Sequence, residues 1–556
     1  MKRFFATLVF LVTLIMLLAA CGLQAQQSIA LYNMEFNLAQ SQGIAVHHFR
    51  LGTLELTTAN DATISGPIDG SIALPRSTGP HPLVVVIHGA SRMAHANIHH
   101  PVHTGFDYLL RQLAAEGYVA VSINVNANYA FTLGESLIPD GFALDTFDAH
   151  IAYLQQANAG ENVGHGVDLT DMIDFTQIHL IGHSRGGDIA ETLIRREHNN
   201  QQGRFRSILR VAPIVSPRWF SPDDERFAPE NPYATIPQPD LPFAIVLPEY
   251  DGDVSMLEGQ VVFDEVLAAG QNKNWGNIVF LRGANHSFFN RMFEEDDRYW
   301  ENSLANAQHQ STWLTREEQE DFLSHYASAF LAVVTGQREP WGTFNVHEPQ
   351  PATLFGFAAT ASTYVAGMQQ LIAEPTQDLA ANVQGSTTAT FHQQSFPAQS
   401  VGHGLFNHPS VLGRQNARLP LYAIAWNQRG DEITFPVLVT DLSEANAISL
   451  FVAVDASDAR NPQLGEQSFS VVLTNESGAQ QSVVIPRGTS ALVTHPGQRI
   501  HVQDFGDIWL GWTPLGELRI PLHYFNNIDL SAVTQLTIRF DQTHSGVVML
   551  ASGWLV

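Results

Sequence analysis

The run Gly182-His183-Ser184-Arg185-Gly186-Gly187 sets a serine between glycines where an apolar stretch, Gln177 to Gly182, gives way to a helix-forming one, Arg185 to Arg196. A serine hydroxyl is a weak nucleophile until a base takes its proton, and the base needs a third group to fix its tautomer. On a sharp strand-to-helix turn the hydroxyl is pushed clear of the sheet, and the backbone packed around it leaves no room for a Cβ on either flank. The following helix directs its first N–H groups toward negative charge developing on a reacting carbonyl. The pattern suits acyl transfer through a covalent serine intermediate. A plain glycine-rich turn would not require a strand before it and a helix after it.

The base and its orienting acid are expected further along the chain, each just past a strand. After the apolar run Phe243 to Leu247 comes Pro248-Glu249-Tyr250-Asp251-Gly252-Asp253-Val254. Asp251 is the preferred acid, as the first residue of an Asp-x-x-Val run that ends at Val254. Asp253 is an alternative acid, and Glu249 a weaker one. After Ile278 to Leu281 comes Arg282-Gly283-Ala284-Asn285-His286-Ser287, which offers His286 as the base. The chain has 24 histidines, so His286 is singled out by its place in the element order and not by its type. Two backbone N–H groups are expected to hold the oxyanion. One is that of Arg185, next after the serine. The other is that of Ala90, or of Ser91, in the loop His88-Gly89-Ala90-Ser91-Arg92.

The elements that must carry these residues are legible as patterns. Leu83 to Ile87 is an unbroken apolar run, mostly β-branched, as a strand covered on both faces requires. Tyr118 to Asn124, Ser207 to Ile214, Leu241 to Leu247 and Asn277 to Arg282 are further strands, and Thr53 to Thr57 and Gly70 to Leu74 alternate as antiparallel strands do. Phe106 to Glu116, Phe142 to Gln156 and Glu317 to Val334 have helical spacing. Strands alternating with helices predict a largely parallel sheet with helices on both faces, ending near Gly336. From about Phe344 no convincing helix appears. Ser449 to Val454, Ser468 to Leu473, Gln481 to Ile485, Gln535 to Phe540 and Val547 to Leu550 read as strands separated by turns, a β-sandwich pattern. The expected organisation is an N-terminal export segment over residues 1–20, an α/β domain over 21–340, a connecting region or first sandwich strands over 341–422, and an all-β sandwich over 423–556.

A chain of 556 residues is too long for one core, so several domains are expected. With 28 Lys and Arg against 54 Asp and Glu, its formal charge of -26 repels polyanions and argues against nucleic acid as a partner. Met1-Lys2-Arg3 followed by the apolar stretch Phe4 to Leu18 reads as an export signal. Leu18-Ala19-Ala20-Cys21 resembles the lipobox of bacterial lipoproteins, which implies acylation of Cys21 and attachment to the cell envelope by a lipid anchor alone. Cys21 is the one cysteine in the chain, so neither a disulfide nor a cysteine-ligated metal is expected within the folded monomer.

His88-Gly89, the glycine-flanked Ser184, Asp251 and His286 together resemble the bacterial α/β-hydrolases related to dienelactone hydrolases, platelet-activating-factor acetylhydrolases and cutinase-like polyesterases. The resemblance spans roughly Leu83 to Phe330. It implies an α/β-hydrolase fold with an eight-stranded mostly parallel sheet, carboxylic ester hydrolysis without a cofactor, and Ser184, Asp251 and His286 as the triad. Ala90 and Ser91 stand where polyesterases often carry an aromatic residue, which weakens a polyester reading. Ile520-Pro521-Leu522 and Leu530-Ser531-Ala532-Val533 make the C-terminal part similar to galactose-binding-like jelly rolls.

Other clusters have simpler readings. His95, His99, His100 and His103 lack the spacing of a metal site and read as a loop over the mouth of the active site. Asp455, Asp458 and Asn461 read as a solvated loop rather than calcium ligands. Trp426, Trp509 and Trp512 are as consistent with core packing as with stacking on sugars. The expected function is ester hydrolysis of a small molecule or polymer, with carbohydrate contact through the sandwich as a further partner. Two alternatives are a peptidase or amidase using the same triad, and a non-catalytic polysaccharide-binding surface lipoprotein.

Overall fold

The computed structural model describes residues 27–36, 43–57, 63–90, 97–131, 141–200, 203–214, 240–254, 258–270, 273–299, 310, 312–392, 419–502, 506–511 and 514–556. Cys21, Ser91, His95 and Trp512 lie outside them, as does the whole export segment, and the side chain of Trp509 is not described.

The main sheet is built from β1 (Val46–Thr57), β2 (Thr63–Ala73), β3 (His81–Ile87), β4 (Val119–Ile123), β5 (Ile173–His183), β6 (Phe205–Val211), β7 (Phe243–Pro248), β8 (Gly276–Leu281) and β9 (Phe357–Tyr364). Across the sheet the order is β1, β2, β4, β3, β5, β6, β7, β8, β9, extended past β9 by the short strands Thr353–Leu354 and Asn33–Met34. From β4 to β8 every pairing is parallel. The pairs β1 with β2, β2 with β4 and β8 with β9 are antiparallel.

The apolar strands sort their side chains between two cores because successive residues point to opposite faces. Leu83, Val85 and Ile87 of β3 enter one cluster, with Phe147 and Ile151 of α2 (Gly141–Asn158), Ile189 and Leu193 of α3 (Arg185–Asn200) and Phe263 of α4 (Glu258–Ala269). Val84 and Val86 enter the other, with Leu109 and Leu113 of α1 (Asp107–Ala115) and Phe322, Tyr326 and Phe330 of α5 (Arg316–Val334). Leu83, Val84, Val86 and Ile87 are wholly inaccessible to solvent, and each such side chain contributes roughly 1.5–3 kcal/mol on burial. Helix α5 starts at a capping box between Thr315 and Glu318, which satisfies two otherwise orphaned N–H groups. Six parallel strands, two antiparallel strands at one edge and helices on both faces make this an α/β-hydrolase fold.

Among the described residues the sheet has eleven strands and not the eight that the resemblance implied. The three extra strands come from outside the expected span. After α5 the chain returns to the β8 edge and lays β9 against it, and Asn33–Met34 pairs with Thr353–Leu354 beyond. Residues 341–422 are therefore shared: β9 completes the main sheet, whereas Asn382–Gln384 and Thr388–His392 join the C-terminal sheets.

Those sheets form the second region. One contains Gln480–Ile485, Phe469–Asn475, Val533–Phe540 and Asp431–Pro436; the other contains Leu421–Trp426, Gly546–Leu555, Ala447–Val454 and Gly516–Pro521. Ile424, Leu450, Val452 and Leu550 of one meet Ile433, Val471, Leu473 and Ile538 of the other. Trp426 is fully buried and stacks on Phe540 at 4.0 Å, so it is a core residue and not a sugar platform.

The two regions share buried surface. Phe451 and Met549 of the sandwich lie in the same cluster as Phe263 of α4. Glu517, paired with Arg519 and almost wholly buried, accepts the N–H of Thr363 in β9 at 2.9 Å, and Arg519 donates to the Asn345 carbonyl at 2.6 Å.

Candidate active site

Ser184 stands at the junction of β5 and α3 with φ at 55°, a left-handed conformation that a non-glycine residue adopts only under local constraint. The flanking glycines supply the space. A Cβ on Gly182 would lie 2.4 Å from the Gly186 oxygen, and one on Gly186 would lie 2.1 Å from the Ile87 oxygen at the end of β3. The turn is closed by the Ser184 N–H donating to Val211 of β6 at 2.9 Å and by the Gly187 N–H donating to the Ser184 carbonyl at 2.9 Å.

The acid and base loops meet each other past the ends of β7 and β8, and His183, next to the serine, reaches the base loop. Asp251 follows β7, His286 follows β8, and His286 Nδ1 lies 3.0 Å from Asp251 Oδ2 with both side chains almost wholly buried. Asp251 Oδ1 accepts the N–H groups of Asp253, at 3.0 Å, and Val254, so the loop is wound around its own carboxylate. Asp253 faces the opposite ring nitrogen, Nε2, at 3.5 Å, with its side chain about half exposed. His286 Nε2 is buried and makes no hydrogen bond among the described residues. Burial opposes a charge on His286, but the carboxylates of Asp251, Asp253 and Asp297 outweigh it and raise the imidazole to about 10. Burial lifts the Asp251 carboxyl above its usual range against the pull of His286.

The oxyanion candidates are placed by the same packing. Gly89 approaches the serine so closely that a Cβ there would lie 2.6 Å from Ser184 Cβ and 3.2 Å from Oγ. Ala90 is the next residue, and Arg185 is the first of α3, whose opening amides are not used by the helix ladder. The loop is held from behind. His88 Nε2 accepts the Val125 N–H at 3.0 Å, its Nδ1 meets the Gly89 oxygen at 2.8 Å, and the Tyr129 hydroxyl donates to the His88 carbonyl at 2.6 Å. Burial lowers His88 to about 4, so the ring is neutral and this tautomer is retained. The Arg185 guanidinium lies 5.2 Å from the Tyr129 ring centroid.

Ser184, Asp251, His286 and the alternative acid Asp253 are thus gathered at the carboxyl ends of β5, β7 and β8. Comparison with known proteins adds little to that geometry. No protein-family model matches the chain, and no curated protein matches it. Among solved structures it is similar to a hyperthermophilic esterase from the archaeon Pyrobaculum calidifontis, at 16% identity over 53% of this chain and 86% of that one, with a TM-score of 0.30.

Three braces around these residues escape a sequence reading. His183, the variable residue before the serine, reaches across to the backbone carbonyl of His286 at 3.0 Å through Nε2. Asp297 accepts N–H groups from both the acid and the base loop. Glu249, weighed as an acid, lies away from the imidazole and accepts the Gly283 N–H at 2.8 Å through Oε2. Apart from the glycine-flanked position of His183, nothing in the local pattern marks these three.

The remaining candidates are accounted for as structure. Asn461 is spent on the backbone of Asp455 and Val547, and Asp458 pairs with Arg460. His103 is buried, and the His100 carbonyl receives a hydrogen bond from Asn126. Among the described residues no group of His, Cys, Asp and Glu is arranged to hold a metal ion.

Proposed function

We propose that this chain is an exported serine hydrolase that cleaves carboxylic esters through Ser184, His286 and Asp251. The observation that carries the reading is the serine at φ 55° on a strand-to-helix turn, with a buried histidine–aspartate pair 3.0 Å apart past the ends of two other parallel strands of the same sheet.

The chemistry follows from the positions. Neutral His286 takes the Ser184 proton on Nε2 as Oγ adds to the ester carbonyl carbon. The Ala90 and Arg185 N–H groups receive the oxyanion. Collapse breaks the bond to the alkoxy oxygen, and His286 returns the proton to the departing alcohol. Water then adds to the acyl-enzyme with His286 as base, and the acid leaves as Ser184 regains its proton. Asp251 holds Nδ1–H in place throughout.

The resemblance to dienelactone hydrolases, platelet-activating-factor acetylhydrolases and cutinase-like enzymes supports an ester over an amide. The lipobox-like Leu18-Ala19-Ala20-Cys21 supports a bacterial envelope protein anchored through Cys21, and Ile520-Pro521-Leu522 with Leu530-Ser531-Ala532-Val533 supports a galactose-binding-like sandwich that touches carbohydrate. Among the described residues no helix is long and apolar enough to cross a membrane.

Hydrolysis of short-acyl p-nitrophenyl esters and labelling by a fluorophosphonate probe test the reading. Both are expected to be lost in Ser184→Ala. Full ester hydrolysis by clean Ser184→Ala protein overturns it.

A further inference from the structure

We infer that His495 of the C-terminal sandwich is a positioning residue for the hydrolase site, acting through Glu249. The inference rests on the triad reading above and gives the sandwich a part in catalysis that is independent of any ligand it binds.

Glu249 sits between β7 and Asp251. Its side chain is only 4% exposed, and a buried carboxylate is costly unless its oxygens are paired. Oε2 takes the Gly283 N–H in the base loop at 2.8 Å. Oε1 faces Nδ1 of His495 at 3.5 Å, across 246 positions of sequence. Backbone bonds run alongside: the Glu249 N–H donates to Leu281 at 3.0 Å and the Tyr250 N–H to Ala284 at 2.8 Å. Glu249 is therefore the side-chain rivet between the strand ends that carry Asp251 and His286, and its second oxygen is answered from the other domain.

His495 is held for that task. Its side chain is 4% exposed, and its ring stands edge-on to Phe280 of β8 at 5.3 Å and 82°. The segment leading to it is tied to the sandwich by the Thr494 N–H donating to Gly465 at 2.8 Å and by the bridge of Val493 with Glu466. Burial keeps His495 neutral. Burial works against the charge on Glu249, but His495, Arg282 and the Gly283 N–H hold its carboxyl below the usual range. A neutral ring donating Nδ1–H to an ionised carboxylate satisfies both. Without that donor one oxygen of Glu249 is left buried and unanswered. The carboxylate then has reason to turn, and the Gly283 end of the base loop loses its anchor.

The test compares His495→Asn with His495→Gln in the full chain. The asparagine amide nitrogen overlays Nδ1 and keeps the donor, whereas the glutamine amide overlays Nε2 and loses it. Two near-isosteric amides separate a donor role from simple packing. With a short-acyl p-nitrophenyl ester, His495→Gln is expected to lose roughly tenfold or more in kcat with KM little changed, as displaced catalytic groups do. His495→Asn is expected to stay within about threefold of the parent, since the donor is retained. In a Glu249→Gln background the His495→Gln change is expected to have no further effect, because the two residues act as one unit. Equal losses in both His495 variants, a change confined to KM, or independent effects of the two substitutions overturn the inference. Failure of the triad reading is separate, because it shows as activity surviving Ser184→Ala in the parent chain.

Discussion

The carboxylate of Asp297 accepts the backbone N–H of His286, the proposed base, at 3.1 Å. The same oxygen takes the Gly252 N–H at 2.7 Å, and the other takes the Ser287 N–H at 2.9 Å. A fully buried side chain thus ties the residue after the acid to the base and its neighbour. The fit is close, since a Cβ on Gly252 would lie 1.9 Å from the Asp297 carbonyl. Charge-assisted hydrogen bonds of this kind contribute roughly 1.5–3 kcal/mol each. Asp297→Ala is expected to lower the melting temperature and reduce kcat by about two orders of magnitude, as small misplacements of catalytic groups do. Asp297→Asn, which keeps one acceptor oxygen, should fall between that variant and the parent in both calorimetry and steady-state kinetics.

Asp251 and Asp253 bracket one imidazole, at 3.0 Å from Nδ1 and 3.5 Å from Nε2. The Nδ1 partner fixes the tautomer that leaves Nε2 as the base. The Nε2 partner favours a proton on the very nitrogen that must be bare. These carboxylates raise the imidazole above its usual range, and its protonated form cannot accept the serine proton. Activity should therefore increase with pH through a range above that of a free imidazole, as the neutral ring accumulates. Asp253→Asn removes one carboxylate and should move the acid limb of the kcat/KM profile to lower pH, raising activity near neutrality. Asp251→Asn should instead lower kcat by about 10³–10⁴-fold across the profile, as loss of the orienting carboxylate does. The reverse pattern, with Asp253→Asn the more damaging, would make Asp253 the working acid.

What the sequence makes legible follows the range of the physics involved. Ser184 stands out because the sterics of its turn are written into residues 182–187, and His286 because it stands in the loop that follows a late apolar strand. The Asp-x-x-Val spacing favours Asp251 over Asp253, but it does not say which of two carboxylates in the same loop reaches Nδ1. Asp297, His183 and Glu249 are harder still. Asp297 reaches Gly252 across 45 positions, His183 reaches His286 across 103 and Glu249 reaches Gly283 across 34, so these ties exist only once the strand ends are brought together. The strand β9 escapes a reading of Phe357–Tyr364 as part of the main sheet because its small and polar residues, Ala358 to Thr363, look nothing like the apolar inner strands. Helix α4 is masked by Gly259 near its start. The glycine is needed because a Cβ there would lie 2.8 Å from Pro213 and 2.9 Å from Ile245.

Buried histidines away from the site bear on stability instead. Burial lowers His88 to about 4, His150 to about 3 and His179 to about 4. In the native chain these rings are neutral down to those values, whereas in the unfolded chain they take protons below about 6.5. The unfolded state then binds more protons, so stability is lost as pH falls from about 6.5 toward 4, with a slope of about 1.4 kcal/mol per pH unit for each ring. His150 is the cleanest case. Among the described residues neither of its ring nitrogens has a hydrogen-bond partner, its ring lies edge-on to Phe49 at 5.8 Å, and its charged form is further opposed by His165. Melting temperatures measured from pH 7 to 4.5 should fall steeply in the parent chain. They should fall less steeply in His150→Phe, which cannot take up the proton, whatever the variant's stability at pH 7. Parallel declines in the two proteins would show that this ring is not protonated differently in the folded and unfolded chains.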